Sequence, residues 1–428
     1  MIDNKLYNLG KKIFRINRSI TGKGVRESLK FIKKELKNLK IFEVKSGTKV
    51  FDWTVPPEWN VKRAYIEDKN KEKIIDIKNN NLHLVGYSTP QNIYLKKKNL
   101  LSRIHTLRKQ PEAIPYVTSY YKKYWGFCAS YNFIKKMQKK YSENDKFFVR
   151  IESSFKKVGS LTYAELLIPG LSKQEILIST YICHPQMANN ELSGPMVSIA
   201  LAKYFNNKIN QKSLRFIFIP ETIGSITYLK RNINHLKKNI IGGYVLSCIG
   251  DERSYSLMPT KYGNSISDVA AKKAFNKLNI KYKKYSFLER GSDERQFNSP
   301  GVDLPIASIT RSIYGKYPEY HTSLDNFNLV TKKGLNGGFR VVKEAIKIIM
   351  KDIIPIAKHT CEPKLQKKNL YNSLSAKTYN PESRKILDFL QYADGKNNIM
   401  DISRYIKRSF KNTFSIYKLL VKKKLLIK

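Results

Sequence analysis

Apolar positions change their period several times along the chain. Over residues 1–40 the period is helical, and two helices are expected; in the second, Val25, Leu29, Ile32, Leu36 and Leu39 recur at steps of three and four. From about Val50 to Gly126 the texture is different. Short β-prone pieces (VFDWTV, AYIED, KIIDI, LHLVGYS) alternate with Pro, Asn and Gly, the pattern of a small β-rich module. From about residue 127 apolar runs at Ala164–Ile168, Ile176–Ile182, Leu214–Ile219, Gly243–Ile249 and Leu304–Ile309 read as strands. Helical patterns at Pro195–Phe205, Ile223–Asn232, Ser267–Leu278 and Lys332–Lys351 lie between and after them. Strands alternating with helices predict an α/β unit: a mixed, largely parallel sheet with helices on both faces.

The expected layout is therefore an α/β domain over 1–49 and 127–354, a β-rich insertion over 50–126, and a linker from Pro355 to about Asn369. Residues 370–428 then carry three helical patterns and a strand-like KKLLIK ending, with Leu387, Leu390, Ile402, Ile406, Ile416, Leu419 and Leu420 as a small core. Three helices and a terminal strand suit a winged helix. After Asp401 this tail has nine Lys or Arg and no acid, which opens nucleic acid as a partner.

Composition sharpens this layout only in part. The formal net charge of +46 comes from 80 Lys and Arg against 34 Asp and Glu in 428 residues. A field of that size favours nucleic acid, anionic lipid or acidic surfaces. The excess is spread over the whole length, beside abundant Asn and Ile, which reads as a compositional bias more than as a dedicated binding face. The four cysteines form no CxxC pair, so neither a disulfide framework nor a zinc knuckle is indicated. MIDNKLYNLGKKIF lacks the apolar core of a signal peptide, and no apolar run approaches membrane-spanning length. A cytoplasmic protein without membrane contact is expected.

The six histidines carry the candidate chemistry. His184 ends the apolar run Ile176–Ile182 and precedes Pro185, which stops the strand; His321 sits in the loop YPEYHTSLDN. In open α/β sheets, ligands collect at the C-terminal ends of strands. Glu221 follows the strand Leu214–Ile219, and Asn190 lies on the same strand-to-helix connection as His184. Two imidazoles and a carboxylate satisfy the donor demand of one catalytic zinc ion, with Asn190 assisting. In that reading Glu221 is both ligand and catalytic acid–base. Taken singly, each of these residues is an ordinary loop His, amide or solvated carboxylate. Cys183 reads as a buried small residue, and Phe51, Trp53 and Trp59 as core aromatics of the insertion.

The blocks STYICHPQMANNELSGP, FIPETIGSITYL, GSDERQF and EYHTSLDN resemble those of the zinc aminopeptidase-like, M28-type family, in particular its bacterial branch associated with polysaccharide clusters. INRSITGKGVRESL, FDWTVPPEWNV and HTLRKQPEAIPYVTSYYKKYWGFC extend the likeness over nearly the full length. The resemblance implies an aminopeptidase domain interrupted by a β-rich insertion and followed by a winged helix. It also implies a two-metal ligand set, which this chain departs from. His184 and His321 match the two family histidines. The bridging Asp position is Asn190, the paired Glu-Glu is Pro220-Glu221, and the second Asp falls on Ser247. So much lost negative charge argues for one ion. Glu191 is an alternative ligand or base. Asp293, Arg295 and Tyr320 are candidate substrate-binding residues.

Two functions follow as expectations. The first is a zinc-dependent hydrolase acting on a small peptide or an amide-bearing sugar. The second is a degenerate binding or regulatory protein whose winged helix contacts DNA or protein; a role for the tail in oligomer assembly is compatible with either.

Overall fold

Eight strands make the central sheet of the computed structural model, which describes residues 1–370 and 381–427. They are β1 (Lys40–Lys45), β2 (Ser160–Ile168), β3 (Ser172–Tyr181), β4 (Lys212–Ile219), β5 (Ile240–Val245), β6 (Ser256–Met258), β7 (Lys283–Lys284) and β8 (Ile306–Thr310). Their spatial order is β1-β2-β4-β3-β5-β8-β6-β7. The four central strands β4, β3, β5 and β8 run parallel. On one side β2 is antiparallel to β4 and β1 to β2; on the other, β6 is antiparallel to β8. The sheet is mixed with a parallel centre. Every residue of β4 and the last seven of β3 are buried, as strands covered on both faces must be.

Connecting helices occupy Ser193–Asn206, Ile223–Asn239, Ile266–Lys277 and Lys332–Lys351. The first of them starts tightly against the sheet. A Cβ on Gly194 would fall 2.2 Å from the Leu246 carbonyl oxygen and 2.3 Å from Thr180 Oγ1, so only glycine lets this helix begin where it does. The N-terminal helices Asn4–Phe14 and Lys23–Glu35 precede β1.

The β-rich part forms an antiparallel four-stranded sheet in the order Lys73–Asp76, Glu58–Glu67, Lys146–Lys156, Gln91–Lys96. Its strand Lys146–Lys156 lies beyond Gly126, where the sequence placed the end of the insertion. Alternating apolar residues mark a strand but not its distant partner, and here that partner is Glu58–Glu67.

Two units are distinguished, Met1–Lys347 and Ile348–Lys428. In the second, helices Pro381–Gln391, Ile399–Tyr405 and Phe410–Lys422 enclose a core that includes Phe389, Ile402, Leu420 and Leu425. The expected linker belongs to this unit. Leu365 is buried in the same core, Ile356 bridges Asp394, and Ala357 bridges Leu426; the expected terminal strand is reduced to this isolated bridge among the described residues. Of the expected 370–428 unit, residues 371–380 and 428 lie outside the described residues. Among the described residues no helix is long and apolar enough to cross a membrane.

Candidate metal centre and its cavity

Two strand ends and a loop meet at one cavity of about 360 Å³ lined by His184, Glu221, Arg295 and His321. His184 leaves the end of β3 and Glu221 the end of β4, which are parallel neighbours. His321 comes from the loop after β8. The backbone bends sharply at these exits: Gln186, Thr222, Cys248 and His321 all hold positive φ, between 47° and 62°. For residues other than glycine such conformations cost of order 1–3 kcal/mol each, and they persist where the surroundings over-determine them.

The imidazole of His184 is fixed on both sides. Its Nδ1 lies 2.9 Å from Glu191 Oε2, and its Nε2 lies 3.5 Å from Glu221 Oε2. Glu191 sits fully buried in a π-helical turn (Ala188–Leu192) and also accepts the Cys183 amide. Buried Arg18 donates to the His184 carbonyl at 2.8 Å. The ring of Tyr116 packs against both histidines, at centroid distances of 5.1 Å from His184 and 5.2 Å from His321. The two imidazole centroids are 5.5 Å apart. Tyr320 does not line the cavity but stacks on His321 at 3.9 Å.

Electrostatics divides the two imidazoles. Burial, aided by the nearby His184, pushes His321 down to about 3, so it is neutral at physiological pH, the form that ligates a metal. Burial also opposes a charged His184, but Cys183 and Glu191 outweigh it and its pKa stands well above the usual imidazole value. The Cys183 thiol is itself pushed up to about 12 by burial, so near neutrality Glu191 is the charge that holds this proton. Burial raises Glu221 above the usual carboxylate range, against the pull of His184 and Arg295.

Asn190 stands one step behind the cavity. Its amide nitrogen donates to Tyr181 Oη at 2.8 Å, and its backbone N–H donates to Asp325 at 2.9 Å. Its Oδ1 is buried without a partner. Asp325, whose carboxylate also accepts the Ala188 and Asn189 amides, holds the whole turn that carries Asn190 and Glu191. Asp293 is buried; it accepts the Thr222 amide at 2.8 Å and the Ser225 hydroxyl at 2.9 Å. Burial and the neighbouring Glu221 raise its pKa to about 7. Arg295 Nη2 donates to Thr222 Oγ1 at 2.5 Å.

Two imidazoles and a carboxylate on one cavity are donor types that suit zinc. Glu191 occupies His184 Nδ1 and leaves Nε2 facing Glu221, the usual way a carboxylate orients a ligating histidine. His184, Glu221 and His321 share the cavity, but the described group whose ligand atoms all lie within 4.8 Å of one another is Cys183 Sγ, His184 Nδ1 and the Glu191 carboxylate. It suits a metal less well, because the thiol stays protonated and its sulfur already accepts the Glu221 amide at 3.3 Å.

The insertion supplies much of the cavity wall. Trp53, Thr54, Pro56, Tyr116, Tyr120 and Tyr121 line it beside the charged residues. Trp53 is 38% exposed and meets the exposed Tyr121 ring at 6.3 Å, so it is a rim residue and not the core aromatic expected from sequence; Trp59, 4% exposed, is the core one. The positions hardest to foresee are Arg18, Tyr116 and Thr222, none of which carries a local metal-site signal. Asp325 did have one, as the acidic residue closing YHTSLD.

Residues 7–352 match a family described as a domain of unknown function (DUF4910), and residues 353–428 match a winged helix-turn-helix family. A curated Clostridium acetobutylicum relative, named as a polysaccharide biosynthesis protein with an aminopeptidase-like domain on provisional grounds, is 42% identical over 403 residues, 93% of this chain and 90% of its own. A crystal structure of a provisionally assigned peptidase from Clostridium acetobutylicum matches with a TM-score of 0.79 and 39% identity, over 99% of this chain and 96% of that one. A zinc aminopeptidase from Bacillus subtilis matches with a TM-score of 0.58 and 13% identity, over 82% of this chain and 96% of its own. A peptidase M28 precursor from Shewanella amazonensis matches at 0.56 and 11%, over 82% and 94%. The fold is that of the M28 zinc aminopeptidases.

Proposed function

The chain belongs to the family described as a domain of unknown function, DUF4910, and on its M28 aminopeptidase fold we propose that it is a metal-dependent amide hydrolase of the aminopeptidase type. The observation that carries this reading is the meeting of His184, Glu221 and His321 on one cavity. One bound zinc would polarise the scissile carbonyl and acidify a water.

The chain's own residues do the rest. Glu191 keeps the His184 ring in place through Nδ1, and stacking on Tyr320 orients His321. Glu221, its pKa raised by burial, takes a proton from the attacking water and returns it to the departing nitrogen. The aromatic wall from the insertion limits how much bulk water enters. Asp293 and Thr222 position Arg295 beside the substrate. A role in polysaccharide or modified-sugar metabolism is supported by the name of the curated relative.

A second reading, a degenerate binding or regulatory protein, is favoured by the amide at Asn190, the proline at Pro220 and the hydroxyl at Ser247. A winged helix is compatible with nucleic-acid contact. Turnover of small amides separates the two readings. The hydrolase should lose activity on chelation and regain it with zinc, and Glu221→Gln should reduce it by about 10²–10⁴-fold. No amide turnover in zinc-loaded protein would leave the binding reading.

A further inference from the structure

We propose that Arg295 anchors a carboxylate, so that this cavity takes amides whose other end is an acid rather than peptides with a free α-ammonium. What happens to the bound molecule rests on the hydrolase reading above; the binding itself does not.

Charge around the cavity points this way. Among its described lining residues Arg295 is the one permanently charged group, and it shares the wall with His184, Glu221 and His321. Of its five N–H donors, the structure gives a partner only to Nη2, which meets Thr222 Oγ1. Its Nε is buried and unpartnered. No described carboxylate oxygen comes within the 4.0 Å of an ion pair.

That is unusual within this protein. Arg26 makes a two-pronged pair with Glu58, Arg253 with Glu319, and Arg215 with Glu175. Arg18, whose Nε is also unpartnered, lies away from the cavity lining and gives its terminal nitrogens to carbonyls. Arg295 alone among these combines a place on the cavity with a fork that has no acid. Its aim is set from behind, because Asp293 holds the Thr222 amide and Thr222 holds the guanidinium. A planar fork so held matches a carboxylate bidentately.

The complementary observation is the shortage of carboxylates for an ammonium. Glu191 is committed to His184 and the Cys183 amide; Asp293 gives Oδ1 to Thr222 and Ser225, and its unpartnered Oδ2 is buried off the lining. Glu221 is the one carboxylate on the lining, and it serves the reaction. An N-acyl amino acid or an N-acylated acidic sugar therefore fits the charges better than a free-amine peptide. In its hydrolysis the amide C–N bond breaks and the water oxygen joins the carbonyl carbon. Glu221 relays the water proton to nitrogen, leaving an acid and an amine.

Ligand-detected NMR on the full-length, zinc-loaded protein tests this with three probes: N-acetyl-L-alanine, N-acetyl-L-alaninamide and L-alaninamide. The wild type should bind the first at least about tenfold more tightly than either of the others. Arg295→Gln should abolish that preference at unchanged Tm and zinc content, and Arg295→Lys should retain part of it. Equal binding of acid and amide by the wild type, a preference surviving in Arg295→Gln, or tighter binding of L-alaninamide would overturn the proposal. The same spectra show free acetate. A binding preference without acetate keeps the anchor and sinks the hydrolase; acetate released equally from acid and amide does the reverse.

Discussion

The central sheet and the loops and short ribbon of the insertion build the same cavity with different materials. The central strands are buried along almost their whole length, and they deliver the charged groups, His184 from β3 and Glu221 from β4, at their C-terminal ends. The insertion delivers aromatic surface: Trp53, Tyr116, Tyr120 and Tyr121. Its strands are only partly covered, with buried and half-buried positions alternating over 64–67 and 147–152. Reactive groups here stand on the rigid part of the molecule, where turns at positive φ are over-determined, and the shape of the cavity is left to the part that is more easily varied. If that division holds, substitutions behind the histidines should change metal binding, and substitutions in the insertion should change substrate binding alone.

Of the substitutions behind and around the cavity that test this division, the largest effect is expected at Glu191. Glu191→Gln keeps the shape of the side chain but removes the charge that holds the His184 Nδ1 proton at 2.9 Å. Zinc affinity, measured by chelator competition, should fall roughly 10–100-fold. Unchanged affinity would mean that the carboxylate only fills space. Trp53→Ala should act the other way round. Zinc content should stay constant while KM for a good amide substrate rises roughly tenfold with kcat little altered, the sign of lost uniform binding. A loss of zinc in this variant would break the division between the central sheet and the insertion.

A smaller effect concerns the seam between the N-terminal helices and the inserted sheet, where Arg26 pairs with the buried Glu58. Burial works against the Glu58 carboxylate, but hydrogen bonds from Arg26, Asn60 and the Ser160 amide bring its pKa down to about 2. A carboxylate held below its unfolded value stabilises the protein above about pH 4.5, and that contribution is lost as pH falls toward about 2. Glu58→Gln should cost about 1–3 kcal/mol near neutrality and flatten the acid limb of a denaturation series. An acid limb identical to the wild type would place the sensitivity elsewhere.

How much of this the sequence displays depends on the range of the interaction. The strands at 176–182, 214–219 and 304–309 and the helices between them are marked by local period, and the structure has elements at each of these places. His184 and Glu221 were conspicuous because each follows an apolar run, and His321 because of its loop motif. What local pattern cannot show is pairing across distance. The strand Lys146–Lys156 looks the same whichever sheet receives it, and the stretch 355–369 looks like a linker because its ties to the C-terminal unit, among them those of Pro355, Ile356, Ala357, Lys358 and Leu365, have no local period. The bond from Glu191 to His184 closes over a turn whose shape depends on Asp325, far along the chain. Aromatic residues in such a module are expected in its core; the exposure of Trp53 on the cavity rim follows from the turn between two very short strands, Lys49–Val50 and Trp53–Thr54.

The central claim is that two imidazoles and one glutamate serve a single ion. Zinc content of the purified protein tests it most directly, compared among the wild type, His184→Ala and His321→Ala at matched Tm. The account predicts about one ion per chain in the wild type and near none in either variant. Wild-type protein that takes up no zinc, or variants that keep the wild-type content, would contradict it.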